Sequence, residues 1–196
     1  MSNALDPQDD AGTELSAEER EGLIPSYISL RSELNDVEQT NIEEGIAWAE
    51  RRKRKNILDE AFLKTLHQKM YGKVWTWAGT YRTTGKNIGV DAYRIRTDVH
   101  ELLNNARYWI EHETFQPDEI AARFHHRLVQ IHCYANGNGR HARVATDLLL
   151  QELGQQPFTW GSANLVDESD VRDRYIAAIK AADNHDIAAL LEFARS

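Results

Sequence analysis

The sequence is short of cysteine and of long apolar runs. Its 196 residues include one cysteine, Cys133, which excludes an intrachain disulfide and gives no reason to place the protein in an oxidising compartment. No apolar run approaches the roughly 18 residues that a membrane-spanning helix needs. The first twenty residues carry six acidic side chains and a single arginine, unlike a secretory signal. These absences predict a cytoplasmic protein without a membrane span.

Basic residues are also in the minority. Lysine and arginine number 23 against 31 aspartates and glutamates, a formal net charge of −8, which argues against an extended surface that tracks nucleic-acid phosphates. The one basic run, residues 51–55, follows a helical pattern and is best interpreted as a solvated helix end. We therefore do not expect direct binding of nucleic acid.

Hydrophobic periodicity divides the chain into three parts. Residues 1–15 are acidic and poor in apolar side chains, which predicts a mobile tail. Residues 16–58 form an N-terminal segment with a helix, and residues 59–196 form the core domain, in which apolar residues recur mostly at helical spacing. Within the core, residues 74–95 are rich in tryptophan, tyrosine, threonine and glycine, which favours a small β-hairpin between helices.

The most informative stretch, residues 131–143, reads Ile-His-Cys-Tyr-Ala-Asn-Gly-Asn-Gly-Arg-His-Ala-Arg and lies between two helical patterns. Glycines at a helix N-terminus let backbone N–H groups converge on an anion, so residues 137–140 can cradle phosphates. Arg140 and Arg143 share a helix face and can grip further phosphate oxygens. His132, with an ordinary pKa near 6.5, is suited to take a proton from a hydroxyl.

Residues 132–143 closely resemble the motif of the Fic family, His-x-Phe-x-Asp/Glu-Gly-Asn-Gly-Arg-x-x-Arg. Residues 66–82 resemble the segment that precedes the flap of that family, and residues 175–179 resemble its closing helix. The likeness extends over residues 25–196, and the Leu-Ile-Pro-Ser-Tyr-Ile segment resembles the branch called mobile mystery protein B. It implies an all-α domain with a small β-hairpin flap over the active-site loop. It also implies transfer of AMP from ATP to a hydroxyl of a target protein.

The resemblance assigns roles by position. His132 would be the general base, Gly137, Asn138 and Gly139 the anion hole, Arg140 a contact of the β-phosphate and Arg143 a contact of the γ-phosphate. The implied partners are a nucleotide and a target protein, with ATP as substrate and Mg²⁺ beside it. An extended target segment would pair with the edge of the flap. The flap loop comprises Thr83, Thr84, Gly85, Lys86, Asn87, Ile88, Gly89 and Val90.

Asn136 departs from the family pattern, because it stands where an acidic residue usually holds Mg²⁺. An amide oxygen is a poorer ligand for this cation than a carboxylate. Three alternatives stay open: an adenylyltransferase, a catalytically weak nucleotide-binding module, or a transferase that uses another nucleotide. Cys133 and Tyr134 replace the common Pro and Phe, and we expect both to pack inside.

A second resemblance lies upstream. Thr40-Asn41-Ile42-Glu43-Glu44-Gly45 resembles the inhibitory motif Ser/Thr-x-x-x-Glu-Gly/Asn of Fic proteins that carry an N-terminal blocking helix. The resemblance implies inhibitory roles for Thr40, Glu44 and Gly45. A Glu44 carboxylate paired with Arg143 would occupy the cation intended for the γ-phosphate.

Overall fold

The described part of the chain is built from seven α-helices. The computed structural model describes residues 14–15, 20–52, 56–162 and 168–196, and the helical fold class expected from the sequence is confirmed there. A short 3₁₀ turn, Ala92–Arg94, leads into the third helix. The helices are α1 (Arg31–Glu50), α2 (Glu60–Tyr71), α3 (Ile95–Glu111), α4 (Pro117–Ile131), α5 (Asn138–Glu152), α6 (Glu168–Asp183) and α7 (Ile187–Arg195).

Local signals fix where the first helices begin. The Asp59 carboxylate accepts the N–H groups of Ala61 and Phe62 at 2.6 and 3.2 Å, which satisfies two of the unpaired donors at the start of α2. Glu33 reaches back to the N–H of Leu30 at 3.1 Å, and α1 therefore begins at Arg31.

The main hydrophobic core joins the N-terminal segment to the core domain. Helix α1 packs against α2, and α4 packs against both α3 and α5. Gly45 permits the contact between α1 and α2, because a Cβ there would lie 2.7 Å from the backbone nitrogen of Met70. A smaller core lies between α6 and α7.

No β-strand is present in the residues that the structure describes, and the expected hairpin is replaced by turns and bends over residues 72–90. A hairpin needs cross-strand side-chain pairs and an apolar face to bury. Residues 83–89 are all exposed, and so the flap loop offers no such face. An isolated bridge joins Leu23 to Trp75 upstream of it. At its two ends the N–H groups of Arg82 and Val90 donate to the carbonyls of Cys133 and Ile131.

The predicted acidic tail falls mostly outside the described residues. Leu15, at its end, is 4% exposed and belongs to the main core. Its N–H donates to the carbonyl of Ser29 at 2.9 Å. Across the described ranges, every helix is too short or too polar to serve as a membrane span.

Candidate active site

The site is the Asn/Gly loop, residues 132–137, which links the C-terminus of α4 to the N-terminus of α5. His132 ends α4 in the left-handed conformation, with φ of 54°. Gly137 precedes α5 with φ of 75°, and a Cβ there would lie 2.4 Å from the Tyr71 ring. Only glycine permits this backbone to approach the buried ring so closely.

Two asparagines shape the loop. Asn138, expected in the anion hole, is buried and spans the loop: its Oδ1 accepts the Tyr134 N–H at 2.9 Å and its Nδ2 donates to the Tyr134 carbonyl at 3.0 Å. Asn136 is exposed, and its Oδ1 accepts the N–H of Gly137 at 2.8 Å. Cys133 and Tyr134 are buried, as predicted.

The N-terminus of α5 presents backbone donors. The first hydrogen bond of the helix runs from the His141 N–H to the Gly137 carbonyl at 2.9 Å. The N–H groups of residues 138–140 therefore stand ahead of the helical hydrogen-bond ladder, where the helix dipole favours negative charge. This arrangement is suited to a phosphate group.

His132 lies partly buried at the other end of the loop. Burial lowers the pKa of its imidazole to about 4, and the positive charges of Arg82 and Lys86 act in the same direction. The ring is therefore neutral at neutral pH and can accept a proton. The flap loop lies directly against it, because a Cβ on Gly89 would be 2.6 Å from the Cβ of His132.

Arg82 joins the flap loop to α4 by hydrogen bonds that we call the Arg82 clamp. Its Nε donates to the His132 carbonyl at 2.7 Å and its Nη1 to the Thr84 carbonyl at 2.8 Å. Its Nη2 donates to the carbonyls of Val90 and Ile131. Both ends of the loop are thus fixed beside His132. Arg82 was not predicted as a site residue, although it lies in the segment that resembles the Fic family.

Arg140 lies at the start of α5 and is paired with α1. Its Nη2 contacts the Glu38 Oε2 at 2.8 Å, and the side chains are only 15% and 5% exposed. The other oxygen of Glu38 accepts the indole N–H of Trp75 at 2.5 Å. Glu38 was not predicted as a site residue, because nothing in its helical pattern distinguishes it from neighbouring acidic residues.

Arg143 is buried among polar groups contributed by α4, α5 and α6. Burial, together with the charge of Arg143, lowers the pKa of His125 to about 3. Burial raises the pKa of Asp147 to about 6, and Arg143 opposes this rise. The nearby Tyr175 hydroxyl hydrogen-bonds His125 at 3.0 Å. The two motif arginines thus have different surroundings.

The predicted pair between Glu44 and Arg143 is replaced by another. Glu44 contacts the Nζ of Lys73 at 2.7 Å, with side chains 46% and 70% exposed. Glu44 lies six residues beyond Glu38 on α1, which turns it away from the side that meets α5. The Thr40 hydroxyl donates to the Asp36 carbonyl within the same helix at 2.9 Å. The helix therefore reaches the N-terminus of α5 through Glu38, which pairs with Arg140.

A cavity of about 830 Å³ borders the loop, lined in part by Trp77, Lys86, Ala135 and Asn136. Within the described ranges, no group of three or more histidine, cysteine, aspartate or glutamate residues could hold a metal ion. The Asn136 amide oxygen already accepts a backbone N–H, and so the residues present fit Mg²⁺ poorly.

The central part of the chain matches a known family. The model of the Fic/DOC family matches residues 57–150 of the chain. The match includes α2, the flap loop, His132 and the N-terminus of α5.

Two curated relatives share this likeness. Protein adenylyltransferase Fic of Aedes aegypti is 26% identical over 132 residues, which cover 65% of this chain and 25% of that protein. The protein of the same name from Nematostella vectensis is 29% identical over 119 residues, covering 59% of this chain and 26% of that protein. The chain therefore aligns with about a quarter of the length of either relative.

Solved structures share the fold. The BepC protein of Bartonella tribocorum, with bound AMPPNP, superposes with a TM-score of 0.67 at 17% identity, covering 90% of this chain and 95% of that one. The N-terminal Fic domain of a Bep effector from Bartonella quintana, with bound ADP, gives 0.70 at 17% identity, covering 87% and 86%.

Proposed function

We propose that the protein is an adenylyltransferase that moves AMP from ATP to a hydroxyl side chain of a target protein. One observation carries this proposal: neutral His132 lies at one end of the Asn/Gly loop, and the N-terminus of α5, with Arg140, lies at the other end. The names of the curated relatives and the nucleotides in two similar structures support it.

The geometry suits an in-line displacement at the α-phosphate. The acceptor hydroxyl gives its proton to His132 as its oxygen bonds to phosphorus, and the bond to the β-phosphate oxygen breaks to release pyrophosphate. The N–H groups at the start of α5 and the Arg140 guanidinium hold the phosphate charge that develops. The buried Arg143 remains a candidate contact of the γ-phosphate, and the flap loop a candidate docking site for the target.

Helix α1 restrains this site in the proposal, through Glu38. The Glu38 carboxylate occupies the Arg140 guanidinium that a β-phosphate would contact. A nucleotide must therefore compete with a carboxylate of the same chain. This assigns to Glu38 the role that the sequence resemblance gave to Glu44.

Asn136 favours a second candidate, a module that binds nucleotide with little or no turnover. Its amide oxygen already accepts the Gly137 N–H and carries no charge with which to hold Mg²⁺. Metal bound with a nucleotide would therefore depend on phosphates and water. Phosphate contacts also do not select a base, so another nucleoside triphosphate stays an alternative donor.

Intact-mass spectrometry after incubation with Mg²⁺ and a mixture of nucleoside triphosphates separates these candidates. The proteins are the wild type, Glu38→Gln, and Glu38→Gln combined with His132→Asn, since asparagine tolerates the left-handed backbone at this position. We expect an AMP adduct that increases in Glu38→Gln and disappears in the double variant. An adduct of another mass identifies another donor. Nucleotide binding without any adduct, on the protein or on added protein targets, favours the binding module.

A further inference from the structure

His67 connects two loops from a fully buried position on α2. Its Nδ1 accepts the N–H of Gly79 at 3.0 Å, and its Nε2 lies 3.1 Å from the carbonyl oxygen of Asn136. Its ring stacks on Tyr134, with centroids 3.6 Å apart. Both ring nitrogens are therefore in use, one of them against the Asn/Gly loop.

The hydrogen-bond partners determine the tautomer of His67. A backbone N–H can only donate, so Nδ1 must be the unprotonated nitrogen. A carbonyl can only accept, so Nε2 carries the hydrogen and donates it to Asn136. Burial lowers the pKa of His67 well below its ordinary value, and the neighbouring His141 adds to this effect. The neutral tautomer that both contacts require is thereby the stable form.

The contact with Asn136 also sets the direction of the next N–H group. In a trans peptide the carbonyl oxygen and the amide hydrogen point to opposite sides. Because the Asn136 oxygen points inward to His67, the Gly137 N–H points away from the buried ring. There the Asn136 Oδ1 accepts it at 2.8 Å, which shows that the N–H is directed to a position where an oxygen fits.

We propose that His67 is a positioning residue that holds the Asn136–Gly137 peptide so that the Gly137 N–H is presented to a nucleotide phosphate. The phosphate oxygen would take the place of the Asn136 amide oxygen. The identity of this anion rests on the proposed function. The orientation of the peptide does not, because it follows from contacts within the chain.

Two substitutions separate the two hydrogen bonds of His67. In His67→Gln the side-chain N–H₂ replaces Nε2 and retains the donor to Asn136, and the acceptor for Gly79 is lost. In His67→Asn the side-chain oxygen replaces Nδ1 and retains the acceptor for Gly79, and the donor to Asn136 is lost. Each variant loses one buried hydrogen bond and the stacking on Tyr134, which makes them matched controls for stability.

The experiment measures the Gly137 amide resonance by NMR, the dissociation constant for ATP by calorimetry, and the thermal midpoint of each variant. We expect His67→Gln to retain the wild-type Gly137 resonance and an ATP affinity within about threefold. We expect His67→Asn to shift that resonance and to weaken ATP binding about tenfold, the equivalent of one hydrogen bond.

Equal effects of the two variants on the Gly137 resonance would overturn the proposal, because His67 would then serve stability alone. An unchanged resonance in His67→Asn would overturn it as well. If the Gly137 resonance shifts in His67→Asn alone, but neither the variants nor the wild type binds ATP, the positioning role of His67 stands and the proposed function fails.

Discussion

Replacing Glu38 by glutamine is expected to change stability and nucleotide affinity in opposite directions. The amide oxygen of the variant can still accept the Trp75 indole N–H, but the charged hydrogen bond to Arg140 is lost. A hydrogen bond to a charged group contributes about 1.5–3 kcal/mol to the free energy of unfolding. Because Arg140 is 15% exposed, its charge is partly hydrated, and the loss stays below the 3–5 kcal/mol typical of a fully buried pair.

An anion that binds Arg140 must break the hydrogen bond from Arg140 to Glu38, and its affinity is lowered by the free energy of that bond. Removal of the Glu38 charge is therefore expected to tighten ATP binding about 10- to 100-fold, since each tenfold change corresponds to about 1.4 kcal/mol. Urea unfolding measures the loss of stability, and calorimetry with ATP measures the gain in affinity. Saturating ATP should restore stability in the variant by about 3 kcal/mol at a hundred times its dissociation constant.

Glu44→Gln is the matched control, because it removes a carboxylate from the same helix. Its pair with Lys73 lies on the surface, and we expect a change below about 1 kcal/mol and no change in ATP affinity. If Glu38→Gln binds ATP no more tightly than Glu44→Gln, the inference that α1 restrains the site through Glu38 is refuted.

Three further predictions concern the flap loop and the base. Gly89→Ala should lower the free energy of unfolding in urea by about 1–3 kcal/mol and reduce the rate of transfer, because φ is 96° and the added Cβ would lie 2.6 Å from the Cβ of His132. Gly85→Ala is its control: the added Cβ meets nothing within 4 Å, and both quantities should stay unchanged. Arg82→Lys should lower the free energy of unfolding by about 2 kcal/mol or more and accelerate hydrogen exchange in residues 83–90, since an ammonium group cannot replace the planar array of donors. Exchange in the variant at the same rate as in the wild type would disprove the clamp. The proposed transfer step needs neutral His132. The rate constant of transfer should therefore stay level down to weakly acidic pH and fall only as the pH approaches about 4. An inflection near pH 6.5, the ordinary pKa of histidine, would contradict the role of His132 as the base.

The helices and the Asn/Gly loop could be predicted because their signals are local. Asp59 marks the start of α2, and the apolar spacing over residues 117–131 marks α4. The confirmed burial of Tyr134 followed from its place in the same short motif. Such features depend on residues a few positions apart, which a single sequence displays directly.

The contacts that organise the site were not predictable in this way. Glu38 and Arg140 are separated by 102 positions, His67 and Asn136 by 69, and Arg82 and His132 by 50. These pairs meet only when the helices have packed, and no spacing rule connects them. The aromatic content that suggested a hairpin has another use, because Trp75 is buried and its indole N–H binds Glu38.

The left-handed backbone of His132 lowers stability at the residue that the proposed function uses as its base. Helices that end in this conformation usually have glycine there, and another L-residue costs about 1–2 kcal/mol. Glycine would relieve the strain but would remove the imidazole. Selection for stability alone would favour glycine here, and under the proposed function the histidine at position 132 exchanges thermal stability for a general base.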